Sequence, residues 1–193
     1  MKARAVQLAQ QVATALAIAL GWMALFNFNA LIFSPLAHSS QAHWIFLPAA
    51  LRIIMVLVFR DIGVIGLMFG AFLTLPHPSP SELPHEIILA ISSGFAPMIA
   101  VYLCRRLFHI AYDLSGLRPL HIIGLSLAGA VMNSLLLNGY LAISGRLNGD
   151  VEQILTVFVG DTLGTAIVLL ILSTILSFVM PRRKRTRRLG GHR

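Results

Sequence analysis

Six stretches of the chain are apolar almost without interruption: 10–34, 44–59, 62–75, 86–104, 119–143 and 152–180. Between them stand residues that end helices and turn chains: Ser34-Pro35, Arg60-Asp61, PHPSPSELPH (76–85), DLSGLRP (113–119) and GRLNGD (145–150). Apolar runs repeated from end to end predict an all-α membrane bundle of about six transmembrane helices. It forms a single domain over 1–180, followed by a polybasic tail at 181–193. The second and third stretches have 16 and 14 residues, short of the ~20 that cross a hydrocarbon core. They are expected to tilt into a thinned region or to form a hairpin that only partly crosses. The basic start MKARA followed by an apolar core resembles a signal peptide, but the apolar stretch continues to Phe33. That is too long for a cleaved segment and predicts an uncleaved first span.

Composition supports the same class. Hydrophobic residues make up 57% of the chain and charged residues 11%, where a soluble domain carries about 25% charged. No length remains for a soluble domain beside the bundle. The net charge of +8 would point to nucleic acid were it spread over the chain, but seven of the fifteen Lys and Arg residues lie in RRKRTRRLGGHR (182–193). Directly after a membrane helix, Arg182, Arg183, Lys184, Arg185, Arg187 and Arg188 read as contacts to anionic lipid headgroups, at about 1 kcal/mol each. No nucleic-acid partner is expected. Lys2, Arg4, Arg60, Arg105, Arg106, Arg118 and the tail share one side of a six-span layout, against Arg146 on the other. By the positive-inside rule both termini are cytoplasmic, in a bacterial inner membrane. Cys104 is the single cysteine, which excludes an internal disulfide.

Two charges fall inside the apolar runs, Arg52 and Asp161. Each costs roughly 2.5–3.5 kcal/mol near a bilayer centre. Arg52 lies nine residues past His43, and Asp161 nine past Glu152, so both stand roughly 13 Å below the same surface at 1.5 Å per residue. Equal depth and opposite sign predict an ion pair. Asn29, Ser93 and Asn138 count to the same layer, with Asn27, Ser92 and Tyr140 near it. Together they predict a small polar pocket open to the outside. The plainer role for each Asn or Ser is helix-to-helix hydrogen bonding, worth about 0.6 kcal/mol per bond. Gly160 and Gly164 flank Asp161 at small-xxx-small spacing and are expected to let a neighbouring helix approach the carboxylate. Gly63, Gly66 and Gly70 are expected to do the same for the third span.

With these residues the chain resembles the membrane-associated sensor domains of the MASE type, type one. The resemblance rests on the aromatic-Pro-Ala start of WIFLPAALRIIMVLVFRDIGVIGLMFGAFL (44–73), which places Pro48 at a packed helix start. It rests also on SSGFAPMIAVYLCRRLF (92–108), with its paired basics, and on FVGDTLG (158–164). It covers 44–175. Leu47 stands where the family has Trp, Ala50-Leu51 where it has Gly, and the spans are fewer. The resemblance implies a shortened, stand-alone sensor domain or accessory subunit that binds a small ligand or a partner protein. Its signalling output would be a separate membrane or signalling protein.

Two other functions fit parts of the chain. About six spans with an outward pocket also describe the solute-binding membrane subunit of an energy-coupling-factor-type importer. YD (112–113) and VGD (159–161) resemble the paired aspartates of GxGD-type intramembrane proteases. However, Phe158 replaces the first glycine, and Asp113 would lie well over 10 Å from Asp161 by the rise count. His38, His43, His77 and His85 lie in outer loops without metal-motif spacing. No enzymatic activity, metal or cofactor is expected.

Overall fold

The computed structural model describes residues 2–39, 42–76, 79–111, 119–147 and 151–179. Its elements are α1 (Lys2–Phe33), a single 3-10 turn (Ser34–Leu36), α2 (Pro48–Phe59), α3 (Asp61–Thr74), α4 (Leu83–Phe108), α5 (Pro119–Ile143) and α6 (Val151–Val179). The all-helical class is as expected, and four of the helices, α1, α4, α5 and α6, are long and apolar enough to cross a membrane. The protein is a membrane protein on that ground. The basic tail, Tyr112-Asp113, Arg118 and His77 lie outside the described residues.

Local chemistry explains where the helices depart from the apolar runs. α1 begins well before 10 because its first residues, Val6 apart, are Ala, Gln, Leu, Lys and Arg, all good helix formers without a breaker. α2 begins at Pro48 rather than at 44, since proline fits the first helical turn, where its missing N–H leaves no bond unmade. α4 keeps Pro97 inside its span, so the Ser93 carbonyl, four residues earlier, loses its usual helical donor.

The short helices α2 and α3 are about 18 and 21 Å long at 1.5 Å per residue. They form a hairpin that reverses at Arg60, whose φ of 55° is unusual for a residue with a side chain. Gly63 makes the reversal tight, because a Cβ there would strike the Met55 carbonyl. Arg105 of α4 reaches the hairpin's far end and donates to the Leu57 carbonyl at 3.2 Å, one of the terminal carbonyls a helix leaves open. α1, α3, α4, α5 and α6 form an arc around α2, which touches every one of them. α2 is apolar on nearly all sides, as a surrounded helix must be. Pro48, Ala49, Ala50, Ile53, Val56 and Leu57 are buried. Arg52 is its one charged residue.

The part of the α1–α2 link next to α2, residues 42–47, is not a surface loop. Ala42, Phe46 and Leu47 are buried, and the segment runs against α6. A Cβ at Gly160 would collide with the His43 carbonyl, and one at Gly164 with the Phe46 carbonyl. The two glycines therefore admit this irregular backbone, not the neighbouring helix their spacing led us to expect. Non-helical backbone is tolerated inside a membrane protein when its polar groups are satisfied by protein. Here Trp44 donates to the Leu36 carbonyl at 3.2 Å and Phe46 to the Gly160 carbonyl at 3.0 Å. Leu47 donates to Asn29 Oδ1 at 2.8 Å.

Candidate functional site

Arg52 sits on the hub helix and Asp161 on α6, beside the two glycines. Arg52 Nη1 donates to Asp161 Oδ2 at 3.1 Å, and the side chains are 11% and 5% exposed. The ion pair expected from depth alone is present. Asn133 of α5 donates to the same oxygen at 2.6 Å, which ties α2, α5 and α6 together at one point. The guanidinium carbon of Arg52 lies 5.1 Å from the Trp22 ring centre and 5.0 Å from that of Phe46. Both distances are within cation–π range. Trp22, Phe26 and Phe46 pack on one another with centroids 6.1–6.4 Å apart, so α1 and the buried link supply the aromatic wall that holds the guanidinium.

Above the pair is a cavity of about 160 Å³ whose lining includes Trp22, Phe46, Arg52, Ser93, Asn133 and Asp161. It extends toward the end where α1 stops and α4 begins, with His43 and Pro76 on its lining. Below the pair a second space of about 10 Å³ is bounded by Arg52, Asp161, Pro97, Ser126 and Thr165, close to the room one water needs. The pair thus forms the floor of one space and the roof of the other.

The other polar residues divide into two groups. Ser93 lines the cavity, as does Ser92, which also donates back to the Ile88 carbonyl. Asn29 and Asn138 are buried but are not on the cavity lining. Asn29 is engaged by Leu47, five residues before Arg52, which sets it about 7.5 Å above the pair. Asn138 donates to the Ser134 carbonyl at 2.8 Å and accepts from Gln153 at 3.4 Å. It stands five residues, again about 7.5 Å, nearer the α5–α6 link than Asn133 does. The count from loop residues placed all five polar groups in one layer, but the links end at different heights. Asn27 is exposed and donates to the Met23 carbonyl of its own helix at 2.8 Å. Tyr140 meets His85, oxygen to Nδ1 at 2.8 Å with stacked rings. Glu82, just before α4, and Arg146, just past α5, approach to 2.7 Å. Tyr140 is not on the cavity lining either, and the two contacts instead tie the start of α4 to the end of α5.

The residues that sequence reasoning missed are Asn133, Trp22 and Phe46. Asn133 lies in an apolar helix like Asn138, and nothing in the local sequence sets it apart. An α5 register fixed from α6 would have found it, since Ser134 donates to the Ile154 carbonyl at 2.9 Å. Among the described residues, no three or more His, Cys, Asp or Glu side chains group as a metal site.

No protein-family model matches the chain, no curated protein matches it, and no solved structure matches it.

Proposed function

We propose that this chain is a multi-pass protein of a bacterial inner membrane that binds a small ligand against Arg52 and Asp161 and passes the occupied state to a separate protein. The single observation that carries the reading is the cavity whose floor is a buried, oppositely charged pair. Charges inside a membrane bundle mark functional positions by default, and a concave, mostly apolar space with a few convergent polar groups is the usual form of a small-molecule site. The role proposed is binding rather than catalysis: Asp161 is the one carboxylate on the cavity lining among the described residues, whereas a shared-proton acid pair needs two.

The orientation is part of the proposal. Lys2, Arg4, Arg105 and Arg106 lie at the end of the bundle away from the cavity mouth, and Arg146 is the one Lys or Arg at the mouth end among the described residues. That asymmetry supports cytoplasmic termini and a cavity facing outward. The tail beyond 181 would then lie at the anionic inner leaflet. The output protein follows from the resemblance to sensor domains of the MASE type.

Native mass spectrometry of the gently purified complex tests this. A stoichiometric kinase, cyclase or other non-ATPase partner is the expected result. An ATPase-linked partner with a bound solute would overturn the sensor reading in favour of an importer subunit. Isolation of the chain with neither partner nor small molecule would overturn both.

A further inference from the structure

Three features of the cavity narrow the chemistry of its ligand. The first is size. A volume of about 160 Å³ is close to the ~150 Å³ that accepts a benzene ring in an engineered cavity. The second is charge. Arg52 and Asp161, at 3.1 Å, already neutralise one another, and Ala71, Leu75, Leu89, Leu137 and Val157 wall much of the remainder. A ligand with net charge would bring an uncompensated ion into that surrounding.

The third feature is hydrogen-bonding capacity that the protein leaves unspent. Ser93 is 6% exposed and lines the cavity, yet its hydroxyl has no partner among the described residues. Arg52 Nε has none either. On the acceptor side, Arg52 and Asn133 both bond Oδ2 of Asp161, which leaves Oδ1 without a partner among the described residues. Buried groups of this kind are normally satisfied. Donors and an acceptor with capacity to spare therefore lie together beside the cavity, next to the guanidinium that packs on Trp22 and Phe46.

We infer that the cavity takes an uncharged molecule of single-ring size that carries a hydrogen-bond donor and acceptor together, as a carboxamide does. Its polar group meets Asp161 Oδ1 and the Ser93 hydroxyl, and its ring lies toward Trp22 and Phe46. The inference rests on the reading of this cavity as a ligand site.

The test uses the full chain in lipid nanodiscs with Trp44→Phe, which leaves Trp22 as the single tryptophan of the original two. Trp22 emission is titrated with benzamide, benzoate, benzylammonium and toluene, which share a ring and differ in the head. Benzamide should give a saturable change and bind at least about tenfold more tightly than each of the other three. Ser93→Ala should weaken benzamide by about threefold to tenfold and leave toluene unchanged. Ala90→Leu, which fills the cavity, should abolish the response. Equal or tighter binding of a charged probe or of toluene overturns the inference, as does a saturable response to none of the four. Benzamide binding that ignores both substitutions overturns it too. A charged probe that saturates at Trp22 would sink the inference while leaving the ligand site standing. The partner found by native mass spectrometry is independent of either outcome.

Discussion

The backbone N–H of Phe46 donates to the carbonyl of Gly160 at 3.0 Å, joining residues 114 positions apart across the link between α1 and α2 and the side of α6. This contact holds Phe46 beside Arg52 and keeps α6 close enough for Asp161 to reach it. It exists because Gly160 has no side chain: a Cβ there would collide with the His43 carbonyl, which is backbone and cannot swing away.

Gly160→Ala should therefore destabilise the protein by about 1–3 kcal/mol, the usual range for forcing volume into a packed site. Gly139→Ala is the control. Nothing lies within 4 Å of a Cβ at Gly139, so the helix-propensity gain of about 0.5–1 kcal/mol should appear there undiminished. Thermal unfolding in detergent separates the two. Equal shifts for both variants would show that the link does not press on α6.

Asn29 accepts from Leu47 N at 2.8 Å while 1% exposed. Asn29→Leu would remove the acceptor and leave a buried amide unsatisfied, a loss of about 1–3 kcal/mol. The fall in melting temperature should come with faster proteolysis of the 34–47 link. A variant as stable and as resistant as the parent would show that the amide finds another acceptor.

The helices were legible in the sequence because long apolar runs bounded by Pro, Gly and Asp leave few alternatives, and α5 coincides with its apolar run at both ends. The Arg52–Asp161 pair was legible for a related reason: two opposite charges in apolar runs have few other partners. The link at 42–47 was not. Trp, Ile, Phe and Leu read as the start of a span, and only a collision between Gly160 and a carbonyl shows that backbone lies there. Asn133 and Asn138 were indistinguishable by type, and only the register of α5 against α6 assigns one to the pair and the other to Gln153.

Between the start of α4 and the end of α5, the hydrogen bond from Arg146 holds the Glu82 carboxyl below its ordinary value of 4.5, with the Arg146 charge adding to the effect. A folded-state pKa lowered in this way contributes stability in full above the ordinary value, and the contribution disappears as pH falls through the lowered one. The melting temperature of the parent should exceed that of Glu82→Gln at neutral pH, and the gap should close in acid. Both groups are solvent-accessible, so the gap should be small and shrink with added salt. A gap that widens in acid would contradict the bridge.

Asn133→Leu keeps the size of the side chain but removes a donor from Asp161 Oδ2. A hydrogen bond to a charged group contributes about 1.5–3 kcal/mol, so the variant should melt lower, and Asp161→Asn on top of it should lower the midpoint by less than it does alone. Strictly additive effects would mean that the two side chains do not interact.

The most direct measurement is a charge-exchange cycle on Arg52 and Asp161, read as detergent unfolding midpoints of R52A, D161A and the exchanged double variant R52D/D161R. Each single change strands a buried charge and should destabilise by about 3–5 kcal/mol. The exchange should recover much of that loss, though not all, because Trp22 and Phe46 would then face a carboxylate instead of a guanidinium. Single variants that unfold like the parent, or an exchanged variant that merely adds the two losses, would contradict a buried pair at the floor of the cavity.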